Sequence, residues 1–148
     1  MKNEYIATVV KLLTEIEAKE EANITKAAEL VADSIMKGGI MIAFGSGHSL
    51  VGAKEIVNRA GGLFAAKAIK DPSDGIFEQL EGSGKALIKR VEILPEDVLI
   101  LISNSGRNTA SIEMAIEAQR IGAKIIVVTA LNASKNLTSR HSSGKMLY

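Results

Sequence analysis

The stretch Val98-Leu-Ile-Leu-Ile102-Ser-Asn-Ser-Gly-Arg-Asn108-Thr-Ala-Ser-Ile-Glu-Met-Ala-Ile-Glu-Ala118 decides the fold. An apolar run ends in small hydroxyl and amide residues around one glycine, and a helical pattern follows at once. That is the order of a strand feeding a helix N-terminus through a polar turn. The first N–H groups of a helix lack intrahelical partners and lie at the positive end of its dipole, so an anion is favoured there. Ser, Asn and Thr line this turn in place of Lys, which suits a phosphate monoester carried on a hydroxyl-rich molecule.

A second element of the same kind lies upstream. Ile40-Met-Ile-Ala-Phe44 is a short apolar run, Gly45-Ser-Gly-His-Ser49 is the turn, and Leu50–Ala60 reads as the helix before Gly61-Gly62. Paired strand–turn–helix units point to a doubly wound α/β sheet, in which ligands sit at the carboxyl ends of strands near the switch point. Leu63–Ile69 reads as a second strand and Asp71-Pro-Ser-Asp-Gly75 as a loop. Ile76–Lys89 reads as an irregular, partly helical excursion broken by Gly82 and Gly84. The third strand is Val98–Ile102, the helix Thr109–Ile121 stops at Gly122, and Lys124–Thr129 is the fourth strand. β-Branched runs alternating with helices imply a parallel sheet covered on both faces.

Residues 1 to 37 read as helix with a break near Glu21-Ala-Asn23. Tyr5, Val9, Leu12, Leu13 and Ile16 form one apolar stripe, and Ile24, Ala27, Ala28, Val31 and Ile35 a second, with Asn23 as a cap between them. The domain organisation expected is therefore an N-terminal helical segment, 1–37, packing on the domain or on a partner subunit, ahead of the α/β domain at 38–148.

Composition narrows the function classes. The chain has 148 residues, a size for one domain, and 47% apolar content supplies a core. A net charge of +1 without a basic cluster argues against nucleic acid, and 3% aromatics leaves no platform for stacked bases. With no cysteine there is neither disulfide nor thiolate metal site, which fits a reducing, cytoplasmic setting. No apolar run approaches membrane-spanning length. His48 and His141 have no carboxylate at ligand spacing, so no metal and no cofactor is expected. The first turn lacks the third glycine of a dinucleotide fingerprint, neither turn carries Gly-Lys-Ser/Thr, and Gly-x-Ser-x-Gly is absent.

The turn Ser103-Asn-Ser-Gly-Arg-Asn108 resembles the Ser-x-Ser-Gly-x-Thr signature of sugar isomerase (SIS) domains, with Asn108 where the common form carries Thr. Gly45-Ser-Gly-His-Ser49, Arg59-Ala-Gly-Gly62 and Ser139-Arg-His-Ser-Ser-Gly-Lys145 extend the resemblance over nearly the whole chain. It is similar to bacterial SIS proteins grouped with phosphosugar isomerases, relatives of phosphoheptose isomerase and of the isomerase half of glucosamine-6-phosphate synthase. The resemblance implies a three-layer αβα sandwich, flavodoxin-like and doubly wound. Family members continue past Tyr148, so a C-terminally truncated form is expected. The resemblance also implies that Ser103, Ser105 and Asn108 hold the phosphate and that Ser46 and Ser49 complete the pocket. Asn108 keeps a donor in its amide. His48, Asn104 and Thr109 are the further expected ligand contacts, and Arg107 is equally readable as an anion contact or a solvated side chain.

Aldose–ketose isomerisation needs a base that moves a proton between adjacent carbons and a group that opens the ring and polarises the carbonyl. Glu55, about two turns into the first helix, is the expected base, against the alternative of a surface ion pair. Glu113 on the second helix is a weaker candidate. His141 is the expected ring-opening residue, in its own subunit or, as the resemblance to some SIS enzymes implies, in a neighbouring one, with ordering of its loop alongside Lys145 as the alternative. The function expected is a phosphosugar isomerase acting on a phosphorylated sugar or amino-sugar. A non-catalytic sugar-phosphate sensor and a sugar-phosphate etherase or lyase are the rival readings. A homodimer or higher homo-oligomer is expected from the N-terminal stripes and from the habit of SIS domains.

Overall fold

Neither glycine nor proline occurs between residues 4 and 36, and the chain there runs as one helix, α1 (Glu4–Met36). The computed structural model describes residues 3–148; Met1 and Lys2, part of the expected 1–37 segment, lie outside the described residues. The expected break at Glu21–Asn23 does not occur. Asn23 donates through Nδ2 to Glu20 Oε2 at 2.8 Å, a bond along the helix surface rather than a cap. The two apolar stripes are successive parts of one face, joined through good helix formers and ion pairs such as Lys19–Glu15 at 3.5 Å. At about 50 Å the helix is far longer than the sheet it meets. Only its last turns are anchored: Val31 packs on the sheet, and buried Ser34 donates to the Glu96 carbonyl at 2.6 Å. Tyr5, Leu13, Ile16 and Ile24 remain exposed.

The remaining elements follow in order as β1 (Met41–Gly45), α2 (Ser49–Val57), β2 (Ala66–Ala68), α3 (Ser83–Ile88), β3 (Val98–Ile102), α4 (Thr109–Ile121), β4 (Lys124–Val128) and α5 (Leu131–Ser134). The four strands form one parallel sheet in the order β2-β1-β3-β4. This is the doubly wound α/β arrangement, with its switch point between β1 and β3. Alternate residues of the strands face opposite ways. Ile42, Phe44, Leu99 and Leu101 meet α3 and α4, and Met41, Ala43, Val98 and Ile100 meet α1 and α2. Burial on both faces is why β1 and β3 read as unbroken apolar runs rather than alternating ones.

Two readings are corrected in detail. The second strand is only Ala66–Ala68, because this edge strand pairs with β1 alone, at Met41–Ala43. Leu63 and Phe64 fall before the ladder and are exposed. The excursion contains a true helix, α3, in which Gly84 sits inside rather than at a break. A Cβ on Gly84 would overlap the Ala110 carbonyl oxygen and lie 2.8 Å from Glu113 Cβ, so the glycine lets α3 lie directly on α4. The closing residues Lys145–Tyr148 fold back so that Leu147 N–H donates to Gly106 O at 3.0 Å and the Leu147 side chain enters the core.

The C-terminal loop is fastened at further points. Glu81 accepts from Ser142 N–H at 2.6 Å and from Ser142 Oγ–H at 2.9 Å. These bonds to the charged form, the backbone one first, hold the Glu81 carboxyl below the ordinary carboxylate range. A depressed folded-state value means that the tether is fully present above the unfolded pKa and is lost as pH falls through the folded one.

Two outcomes are expected. Gly84→Ala should lower stability by about 1–3 kcal/mol in chemical denaturation, since backbone must shift to admit the methyl group. The Ser142 amide resonance should titrate with a midpoint below that of an ordinary glutamate, and Glu81→Gln should abolish that titration.

Candidate functional site

The register of β1 and β3 sets the site. Gly45 pairs with Ile102, so Ser46 and Ser103 leave adjacent strands at the same level. Neighbouring strands lie about 4.8 Å apart, which places the Gly45–Ser49 and Ser103–Thr109 turns side by side at the carboxyl edge. Ile102 pairs in turn with Val128, bringing Thr129 alongside; its hydroxyl donates to Asn104 O at 3.1 Å and shares a 2.9 Å bond with Ser134.

Asn108 is the N-cap of α4: its Oδ1 accepts from Ser111 N–H at 3.2 Å, leaving the amide Nδ2 free to donate elsewhere. Ser103 is buried, with its N–H on Val128 O at 3.0 Å, and Gly106 N–H closes the turn onto Ser103 O at 3.1 Å. Ser105 is half-buried, while Asn104 is exposed and uses its carbonyl oxygen to accept from Ala130 N–H at 3.0 Å. In the first turn, Ser49 opens α2 and donates its N–H to Ser46 O at 3.1 Å. His48 precedes it, exposed, with no capping bond from its side chain.

Among the described residues, the buried side-chain polar atoms that find no partner are Ser46 Oγ, Arg107 Nε, Thr109 Oγ1 and Ser111 Oγ. All of them belong to the two turns or to the first turn of α4. Buried polar groups are nearly always hydrogen-bonded, so orphans gathered at one edge mark a place where an external acceptor belongs. At the positive end of the α4 dipole they make a donor-rich edge suited to an anion.

The two residues expected to perform proton transfer are placed differently. Glu55 lies on α2 with its carboxylate on Arg59 one turn further on, and its side chain is 52% exposed. His141 is turned inward, its side chain 8% exposed, with Nε2 3.7 Å from Glu113 Oε1 and Nδ1 2.7 Å from Ser143 Oγ. Glu113 itself is buried. Its carboxylate accepts the N–H groups of Gly82 at 2.7 Å, Gly84 at 2.8 Å and Lys85 at 3.3 Å, and so caps α3 from the neighbouring helix.

One residue close to the turns went unnoticed in the sequence. Glu78 sits in the loop between β2 and α3; its carbonyl oxygen accepts Ala110 N–H at 3.0 Å, and its Oε2 lies 3.8 Å from where a Cβ on Gly47 would stand. The loop is seated on the first turn at Gly75, where a Cβ would come within 2.9 Å of Ser46 Oγ. With φ near +87°, Gly75 is doubly constrained to remain glycine. Beside Glu78 opens a cavity of about 440 Å³, lined by Asp71, Ser73, Phe77, Leu87 and Arg90 among others. No sequence motif marks Glu78, because only the folded loop carries it to the first turn. Among the described residues no group of carboxylates and histidines could hold a metal, and no helix is long and apolar enough to cross a membrane.

Comparison with known proteins agrees with this architecture. A UPF0309 protein of Listeria monocytogenes is 52% identical over 138 residues, covering 93% of this chain and 59% of the relative. One from Halalkalibacterium halodurans is 44% identical, covering 93% of this chain and 61% of the relative. The chain thus spans about three-fifths of the length of these curated relatives. Among solved structures, a phosphoheptose isomerase from Francisella tularensis superposes with a TM-score of 0.74 at 20% identity, over 97% of this chain and 81% of that one. Phosphoheptose isomerase GmhA from Neisseria gonorrhoeae gives 0.71 at 23% identity, over 85% and 72%. At such identities the likeness is one of fold. The family model for the SIS domain matches residues 4–130, and the chain belongs to the SIS domain family.

Proposed function

We propose that this protein binds a sugar phosphate at the paired turns and interconverts its aldose and ketose forms. The carrying observation is the set of buried, partnerless donors at Ser46, Arg107, Thr109 and Ser111. A phosphate monoester offers several charged oxygens, each able to accept from such groups, and bonds to a charged acceptor are the stronger kind. In this reading Ser46, Ser49, Ser103, Ser105, Asn108 and Thr109 surround the phosphate, while His48 and Asn104 stand toward the sugar. The fold shared with two phosphoheptose isomerases supports the substrate class. His141 acts from within the C-terminal loop, and Glu55 acts only if it leaves Arg59.

The same reading includes a second copy of the chain. Along α1, Val10, Leu13, Ile16 and Ile24 line a shallow groove open to solvent and Tyr5 is exposed beyond it, more apolar surface than a free helix retains. A cysteine-free composition accords with a cytoplasmic setting.

Thermal-shift titration with sugar phosphates and their unphosphorylated sugars tests the pocket. The phosphorylated forms should stabilise the protein and the free sugars should not. Ser105→Ala should weaken binding by about tenfold or more, the loss of one bond to a charged acceptor. Equal stabilisation by free sugars, or unchanged affinity in Ser105→Ala, would remove the phosphate from this site. Binding without turnover would favour a sensor.

A further inference from the structure

We propose that Glu78 is the base that carries the proton between the carbons of the bound sugar phosphate, an assignment that rests on the isomerase reading above. The argument begins with what the carboxylates along this edge are doing. Asp71 is spent inside its own loop, accepting Ser73 N–H at 2.8 Å, Ser73 Oγ–H at 2.7 Å and Gly75 N–H at 3.0 Å. Glu81 is held by Ser142, and Glu113 by three backbone N–H groups. Glu55 is paired with Arg59. Glu78 is different: among the described residues its carboxylate makes neither a hydrogen bond nor an ion pair, and it is half-buried.

Its position is fixed from both sides of the anion site. The Glu78 backbone is bonded to Ala110 in the first turn of α4, and the loop carrying it rests on Ser46 and Gly47 through Gly75. Its side chain reaches the first turn, with Oε2 3.8 Å from the Cβ position of Gly47. A sugar whose phosphate occupies the donors of the two turns must extend its carbon chain away from them. Glu78 and Ala110, the latter in the first turn of α4, are also among the residues lining a cavity of about 440 Å³, which gives room beside the turns. A general base needs this combination: a carboxylate with a free lone pair, screened from bulk water and within reach of the substrate carbons.

The step balances in protons alone. Glu78 takes the hydrogen from C2 of the open-chain aldose as a proton; the C–H pair becomes the C1–C2 double bond, and O1 takes a proton from water to give the enediol. The enediol then loses the proton on O2 to water as the C2 carbonyl forms, and Glu78 returns its proton to C1. No oxidant or metal enters.

The test is hydrogen exchange at the substrate carbons. The intact protein is incubated in D₂O with glucose 6-phosphate, fructose 6-phosphate or ribose 5-phosphate, and deuterium at C1 and C2 is followed by NMR, with binding of the same compounds measured by thermal shift. Wild type should exchange at least one of them. Glu78→Gln, which removes no contact of the folded chain, should bind it as wild type does but exchange at least about 100-fold more slowly. Glu78→Asp keeps a carboxylate and should exchange faster than Glu78→Gln. Wild-type exchange in Glu78→Gln, or exchange in Glu78→Asp no faster than in Glu78→Gln, overturns the assignment and leaves the isomerase reading standing. A wild-type protein that binds these compounds and exchanges none of them overturns both.

Discussion

The carboxylate of Glu113 is the interaction on which the site end of the molecule depends. It is buried on α4 and gathers three N–H groups from the start of α3, which would otherwise have no acceptor, and the His141 imidazole stands against it. A carboxylate is expensive to bury unless its lone pairs are satisfied, and these N–H groups satisfy them. The interaction holds α3 on α4, and the loop leading into α3 from β2 lies against the first turn at Gly75. Residues 71–78 are held as well by the Asp71 bonds within the loop and by Ala110 N–H on Glu78 O.

The same carboxylate joins the C-terminal loop to the arrangement. His141, Ser142 and Leu147 attach that loop to Glu113, Glu81 and the Gly106 turn respectively. Polar contacts of this kind act together, because each fixes the geometry that the next requires. The loops around the two turns are thus held by long-range bonds, while the turns themselves are held by the sheet.

How much was legible depended on how local the signal is. β3 and α4 lie where the sequence places them, Val98–Ile102 and Thr109–Ile121, because an apolar run, a polar turn with an Asn cap and a terminal glycine are all local features. The adjacency of the two turns was also legible, since a doubly wound sheet brings its switch-point strands together. The unbroken α1 was not: Asn23 has the composition of a cap, yet the helical register on either side of it is continuous. The roles of the glutamates were hidden for another reason. Whether Glu55, Glu78 or Glu113 is paired, free or buried is decided by groups distant in sequence, namely the α3 backbone for Glu113 and the first turn for Glu78. Helical spacing reports which face a residue occupies, not what meets it there.

The anchoring of α1 at one end has a consequence for how the molecule opens. Its last turns share the stability of the sheet through Val31 and Ser34, but its first half rests on local propensity and on exposed pairs such as Lys19–Glu15. Such stretches of helix are marginal by themselves. Amide protection should therefore decline from Ser34 toward Glu4, a gradient in opening free energy along one continuous element. Anything that covers the apolar stripe adds its association free energy to that weak end alone, so the far half of α1 becomes a reporter of association that leaves the sheet undisturbed.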